Sequence, residues 1–209
     1  MIDTRDNWGE ARDAAQVVST SATVGAFALP SGSLDSALVV SLTPGPYTAG
    51  ITGAGNGTGI GLVEVYDADV AGSSSTLVNL SSRVFVGVGA EQAIPGLVIN
   101  GNAPLTLLIR AVGPTLGGLG VGGTLTDPIL TLYNNAGVAL AANDNWEAGG
   151  GSSAITAAAA KVGAFALGAG SLDAAMLATL ALGSYTAGVT GAGGGTGICL
   201  VEIYVVPSG

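Results

Sequence analysis

Short runs in which apolar and polar side chains alternate fill most of the chain, and Gly, Pro, Asn and Ser separate one run from the next. Such runs are typical of β-strands joined by tight turns. In one run, apolar Tyr185, Ala187 and Val189 share one face, and the small or polar residues between them share the other. The dense strands and short connections predict an all-β protein, built as a β-sandwich or jelly roll.

The same pattern predicts individual elements. Within residues 71–209 the predicted strands are 82–88, 93–99, 105–112, 129–133, 138–142, 164–167, 174–180, 183–190 and 197–205. Segments 13–19 and 154–161 are predicted as short helices, the second because it is rich in Ala, the best helix former. The Gly-rich segments 52–59 and 190–197 are interpreted as connections between strands, in which Gly supplies positive φ.

A duplication at a spacing of 138 residues organises the chain. Aligned without a gap, residues 6–66 and 144–204 are identical at 33 of 61 positions, including the Asp-Asn-Trp and Tyr-Thr-Ala-Gly sequences of both copies. We divide the chain into an A unit (1–70), a B unit (71–143) and an A′ unit (144–209), so that the 138-residue repeat is present one and a half times. The strands predicted for A′ are expected in A as well.

The half-repeat A has no B unit ahead of it in this sequence. Repeat units are stabilised by burying their apolar faces against a neighbouring unit. Two arrangements satisfy this requirement: either A also packs on B, or another chain completes A.

Composition narrows the functions that such a fold can carry. The chain has no His, and its 5 basic and 14 acidic residues give a net charge of −9. Without His there is no Ser-His-Asp triad and no His-ligated metal, so we predict that the protein is not an enzyme. Nucleic acid is not an expected partner, because binding it requires clustered Lys and Arg. No apolar run is long enough for a transmembrane helix, so no membrane span is predicted.

Residues 127–145 and 183–189 resemble the bacterial pre-peptidase C-terminal type of jelly-roll domain. Segment 107–116, Leu-Leu-Ile-Arg-Ala-Val-Gly-Pro-Thr-Leu, is similar to the Gly- and Ala-rich repeats of very long secreted or surface-anchored bacterial proteins, and this second likeness covers most of the chain. The resemblance implies an extracellular or cell-surface module without catalytic residues. It also implies a calcium site, because the jelly-roll relatives often bind calcium through acidic loop residues.

The duplicated Asp-Asn-Trp sequence contains the candidate metal ligands. Asp6 and Asn7 in A, and Asp144 and Asn145 in A′, offer carboxylate and amide oxygens in a tight loop, which suits Ca²⁺. The alternative is an Asx turn that closes a strand, with the adjacent Trp covering the end of the core. No other cofactor is expected.

Three charged residues lie in otherwise apolar strands. Glu64 and Glu202 occupy equivalent positions in the two copies, and Arg110 lies in the B unit. An unpaired buried charge is strongly destabilising, so we predict a structural Arg–Glu pair between B and an A unit. The only cysteine, Cys199, is interpreted as a small apolar core residue, since Gly61 occupies the equivalent position.

Two functions fit these observations. The first is a non-catalytic structural subunit or repeat module at the cell surface, which assembles head-to-tail with other chains into a filament or array because each sandwich is completed by a neighbour. The second is a carbohydrate-binding or adhesive β-sandwich module of a secreted protein. Its candidate surface for a glycan consists of aromatic residues that recur in both copies: Trp8, Trp146, Tyr47 and Tyr185.

Overall fold

A computed structural model describes residues 2–10, 12–69 and 73–207. The chain divides into two compact units, Met1–Leu77 (unit 1) and Val78–Gly209 (unit 2). Unit 1 therefore contains the A sequence and the first residues of B, up to Leu77, and unit 2 contains the rest of B together with A′. The boundary predicted between residues 70 and 71 lies outside the described residues.

Unit 2 contains eight strands in two antiparallel four-stranded sheets, which confirms the predicted mainly β architecture. The strands are β1 (Asn79–Val86), β2 (Gly96–Ile99), β3 (Leu105–Val112), β4 (Pro128–Asn134), β5 (Ala139–Asn143), β6 (Ala174–Leu180), β7 (Gly183–Gly191) and β8 (Gly197–Val205). The first sheet has the order β1-β8-β3-β6, and the second has the order β2-β7-β4-β5.

The two sheets share one hydrophobic core. Alternate residues of most strands enter it, so that Leu107 and Ile109 of β3 lie in the same cluster as Leu130 and Leu132 of β4, whereas β5 contributes no side chain to it. Cys199 is also fully buried in this core. The alternation that predicted the strands thus reflects one packed face per sheet, as expected for a β-sandwich.

A helix covers the outer face of the first sheet. This helix, α3 (Ser152–Val162), buries Ile155, Ala158 and Ala159 in a second apolar cluster that includes Leu108 of β3 and Trp146. It begins before and ends after the predicted segment 154–161, and it stops at Gly163, whose φ of 72° is left-handed. A single helical turn, α2 (Pro114–Gly118), follows β3.

The strand prediction for segment 164–167 is wrong. This segment is irregular, and its Ala164 and Leu167 pack against the outer apolar cluster instead of joining a sheet. The other eight predicted strands of unit 2 are present, with β3, β6 and β8 at the predicted bounds and the rest shifted at one or both ends.

Unit 1 contains helix α1 (Ala14–Val24) and short 3-10 turns at Trp8–Glu10 and Ala54–Asn56. The strands expected in A are a second wrong prediction, because no segment of unit 1 forms a strand within residues 2–10, 12–69 and 73–77. The helix is longer than the predicted segment 13–19. Across the described parts of both units, no helix has the length and apolar character needed to cross a membrane.

Candidate assembly interface

Each A′ strand of unit 2 is paired with B strands alone. Strand β6 pairs with β3, β7 pairs with β2 and β4, and β8 pairs with β1 and β3. No ladder joins β6, β7 and β8 to one another in either sheet. The A′ sequence therefore supplies alternate strands of a sandwich and depends on B for its β-sheet hydrogen bonds.

This interdigitation explains why A does not form strands in unit 1. Segments 36–42, 45–53 and 59–67 of A correspond to β6, β7 and β8 in sequence. An isolated extended segment leaves its backbone N–H and C=O groups without hydrogen-bond partners, so it does not form a β-strand by itself. The three segments do not pair with one another in A′, and they do not pair with one another in A either.

Apolar side chains of A are exposed where their A′ counterparts are buried. Ile51 is 65% exposed, whereas the equivalent Val189 is fully buried. Val63 is 52% exposed, whereas the equivalent Val201 is 4% exposed. Exposed apolar surface on this scale marks an interaction site in a soluble protein. We therefore identify segments 36–67 of unit 1 as the candidate assembly interface.

The turns of A already have the conformation found in A′. Tyr47 donates a hydrogen bond to the Thr43 carbonyl at 2.7 Å, as Tyr185 does to the Ala181 carbonyl at 3.1 Å. A Cβ at Gly53 would overlap the Gly57 carbonyl, and the equivalent overlap occurs in the turn after β7. Local sequence thus sets the turns, while strand formation requires a partner.

An arginine of B is buried against three A′ residues, which we call the arginine socket: Phe165, Glu202 and Tyr204. The guanidinium of Arg110 is fully buried; Nε donates to Glu202 Oε2 at 2.8 Å, and Nη2 binds the same oxygen. Nη1 donates to the Phe165 carbonyl at 2.6 Å, and the guanidinium carbon lies 4.4 Å from the centroid of the Phe165 ring.

Tyr204 completes the arginine socket. Its hydroxyl donates to Glu202 Oε1 at 2.7 Å, so both carboxylate oxygens have donors. Burial, together with this hydrogen bond to Glu202, raises the pKa of Tyr204 to about 12 and keeps the hydroxyl protonated. Arg110 and Glu202 also face each other in the β3–β8 register, which places the pair at a central ladder of the first sheet. The structure therefore brings together this predicted pair.

Glu64, the third member of the predicted charged group, lies exposed in unit 1. Tyr66 donates to Glu64 Oε1 at 3.0 Å, which reproduces the Tyr204–Glu202 hydrogen bond. Phe27, the counterpart of Phe165, is 56% exposed. No Arg or Lys of unit 1 forms an ion pair with Glu64 within its described residues. The unit 1 counterpart of the arginine socket thus consists of Phe27, Glu64 and Tyr66.

A buried carboxylate makes the second polar contact between B and A′. Asp173 is fully buried, and its Oδ1 accepts a hydrogen bond from Gly113 N at 2.8 Å. Its Oδ2 accepts hydrogen bonds from the Thr115 hydroxyl and, at 2.6 Å, from the Ser171 hydroxyl. The carboxylate satisfies backbone N–H groups at the start of α2, a role that Asp often plays at helix N-termini. Asp173 recurs as Asp35 in A, but the sequence pattern does not reveal this contact, because it joins residues 58–60 positions apart.

Asp35 has the same backbone environment as Asp173 but an exposed carboxylate. Trp8 N donates to the Asp35 carbonyl at 2.8 Å, and Trp146 N donates to the Asp173 carbonyl at the same distance. The side chain of Asp35 is exposed in unit 1. The two copies therefore hold the backbone of this aspartate alike. The Asp173 carboxylate differs in having donors from B and from the Ser171 hydroxyl, whereas Ser33, the counterpart of Ser171, accepts a hydrogen bond from the Trp8 indole.

The aromatic residues predicted to bind a glycan occupy different environments. Trp8 and Trp146 are each 8% exposed, and their indole N–H groups donate to Ser33 Oγ and the Gly168 carbonyl. Neither indole offers an open face on which a sugar ring can stack. Tyr47 is 46% exposed and Tyr185 is half-buried, and both hydroxyls are used in turns.

The predicted calcium ligands do not form a cluster of acids. Among the described residues, no group of three or more His, Cys, Asp or Glu side chains lies close enough to hold a metal ion. Asp144 approaches Asp127, and burial together with this neighbouring charge raises the pKa of Asp127. Buried Oδ1 atoms of Asp127 and Asn145 accept no hydrogen bond. Asp6 is exposed, and Asn7 is half-buried beside it.

The single thiol lies away from solvent. Burial raises the pKa of Cys199 to about 12, so the residue remains a thiol at neutral pH. A thiolate is the nucleophilic form of cysteine, and this environment does not provide it.

The comparisons with known proteins give no relative for this chain. No protein-family model, no curated protein and no solved structure matches it.

Proposed function

We propose that the protein is a non-catalytic structural module of an extracellular or cell-surface array, joined head-to-tail by completion of β-sandwiches. In such an array, the A strands of one module insert between B strands that no A′ unit occupies, supplied by a neighbouring repeat of the same kind. One observation carries the proposal: β6, β7 and β8 pair only with B strands, and the corresponding segments of A are unpaired and expose apolar side chains.

Strand insertion has a strong physical basis here. It provides the main-chain hydrogen bonds that segments 36–42, 45–53 and 59–67 lack, and alternate side chains enter a shared core. The contact is heterologous, because an A surface meets a B surface, and heterologous contacts that do not close produce filaments. The extracellular location is inferred from the sequence resemblance to repeats of secreted bacterial proteins.

The proposal can be tested with two versions of the 209-residue chain. The acceptor carries Val63→Pro and Val201→Pro, so that neither of its own A-type units can occupy its B strands. Val201 lies in β8, between β1 and β3, where proline removes a ladder hydrogen bond. The wild-type chain is the donor, because its A segments are intact and unpaired.

Light scattering after size-exclusion chromatography measures the outcome. We expect the donor and acceptor to form a complex of two chains, each of 20.0 kDa. A donor carrying Val63→Pro alone keeps its A′ sandwich and is the matched control, and it should not bind the acceptor. If wild-type and control donors both elute apart from the acceptor, the assembly proposal is wrong.

A further inference from the structure

We infer that unit 1 selects its partner through Glu64 and Asp35, and that the partner is a B-type segment carrying a buried arginine and a Gly-Pro-Thr turn. This inference rests on the proposed function and identifies the chemistry by which the assembly interface recognises its occupant. Two buried charged groups that join B to A′ in unit 2, the Arg110–Glu202 pair and the Asp173 carboxylate, support it.

Counting strands shows why the partner needs to be specified. Each chain contains two A-type units and one B unit, and A′ occupies that B unit in unit 2. Copies of residues 1–209 alone would therefore leave one A-type unit per copy without B strands. The occupant of unit 1 is a B segment that is not already filled, supplied by a further repeat of the same kind.

The first recognition contact joins the Glu64 carboxylate to an arginine of the partner, at the position that Arg110 has in B. In unit 2, Glu202 uses one oxygen for Tyr204 and the other for Arg110. In unit 1, Tyr66 already binds one oxygen of Glu64, and the second oxygen is left for a donor. Arg fits this place better than Lys because its planar guanidinium donates in several directions and stacks on an aromatic ring. Phe27 is the aromatic residue at the equivalent position.

The second recognition contact is the turn after the arginine. Asp173 accepts hydrogen bonds from Gly113 N and Thr115, which lie three and five residues beyond Arg110. Asp35 presents an exposed carboxylate from the same backbone position. A B segment aligned so that its arginine meets Glu64 therefore brings its Gly-Pro-Thr turn to Asp35. The two contacts together set the register, which apolar strands alone specify weakly.

Burial makes these contacts selective. A partner with an apolar or acidic residue in place of arginine would bury Glu64 without a counter-charge, and a turn without free N–H groups would bury Asp35 unsatisfied. Correct partners satisfy both carboxylates, so discrimination comes mainly from penalties on incorrect ones. The two carboxylates thus act as a specificity filter on an otherwise apolar surface.

The test measures the affinity of donor chains for the acceptor carrying Val63→Pro and Val201→Pro. We expect Glu64→Gln or Asp35→Asn in the donor to weaken binding by roughly 30-fold or more, because each leaves buried partner groups unpaired. Glu10→Gln is the matched control: it removes the same charge from unit 1 at an exposed position whose A′ counterpart is Ala148, and it should bind like wild type.

A double-mutant cycle assigns the arginine contact. Arg110→Gln in the acceptor should strongly weaken its binding to the wild-type donor. It should weaken binding to the Glu64→Gln donor far less, because the Arg–Glu pair is already broken in that complex. If wild type binds the acceptor and both Glu64→Gln and Asp35→Asn bind as tightly as Glu10→Gln, the recognition inference is overturned while strand completion stands. If wild type itself does not bind, both proposals fail.

Discussion

At the scale of single residues, the two copies of one sequence show how much a side chain depends on its partner. Glu202 and Glu64 have nearly the same neighbours along the chain and the same tyrosine hydrogen bond, yet Glu202 is buried against Arg110 and Glu64 is exposed. The difference lies in the B unit and not in the local sequence. Each residue of segment 144–204 thus has an internal control in unit 1.

Removing the buried arginine tests this difference. Arg110→Met should destabilise unit 2 by about 3–5 kcal/mol, because it leaves the Glu202 carboxylate buried without a counter-charge. Urea unfolding, followed by the fluorescence of Trp146, measures the change. Glu64→Gln, at the exposed position equivalent to Glu202, should alter stability by less than about 0.5 kcal/mol. If Arg110→Met lowers the free energy of unfolding by no more than about 0.5 kcal/mol, the limit expected for Glu64→Gln, the Arg110–Glu202 ion pair is not buried as described.

The Asp127–Asp144 pair gives a prediction about pH. Burial and Asp144 raise the pKa of Asp127 above its unfolded value, so the folded state binds the proton more tightly and this group's contribution to stability falls as pH rises through that range. Asp127→Asn should therefore raise the melting temperature at pH 7 and give a smaller gain at pH 4. If Asp127→Asn instead lowers the melting temperature at pH 7, and EDTA abolishes this difference from wild type, the two carboxylates hold a cation such as calcium.

At the scale of elements, strand formation is decided by pairing across the sandwich. The segments equivalent to β6, β7 and β8 have the alternation of strands in both copies, but they form ladders in unit 2 alone. The turns between them have matching hydrogen bonds in both copies. Turns are therefore local features of this sequence, and strands are not.

Proline substitution separates the two cases. Val201→Pro should unfold unit 2, because β8 is a central strand hydrogen-bonded on both sides. Val63→Pro, at the equivalent position in A, should leave the stability of the chain unchanged in the absence of a partner. Thermal unfolding followed by circular dichroism compares the variants. Equal destabilisation by both substitutions would contradict the description of A as unpaired.

The sequence predicted much of unit 2 and misjudged unit 1 for one reason. Alternation marks a segment able to form a strand, which is why β3, β6 and β8 coincide with the predicted bounds. It carries no information about whether a partner strand is present, so the same reasoning placed strands in A. The Arg110–Glu202 pair was visible as charges in apolar strands. The Asp173 contact was not, because its donors are backbone N–H groups of a distant turn.

At the scale of the whole molecule, the chain consists of one completed sandwich and one set of strand sequences without partners. The proposed array follows from this imbalance, since the A segments have the turns and exposed apolar side chains that a B unit would bury. Recognition by Glu64 and Asp35 would then determine which B unit is accepted. We propose that A needs only the strands of a B unit in order to fold as A′ does.

Hydrogen exchange on an extended chain tests that claim most directly. A second copy of residues 73–143 is fused ahead of Asp6, which reproduces the natural junction between Asn143 and Asp144. In the original chain, amides of segments 36–42, 45–53 and 59–67 should exchange rapidly while those of β6, β7 and β8 are protected. In the extended chain, we predict that the A segments become as protected as their A′ counterparts. Rapid exchange in the A segments of both chains would contradict the account.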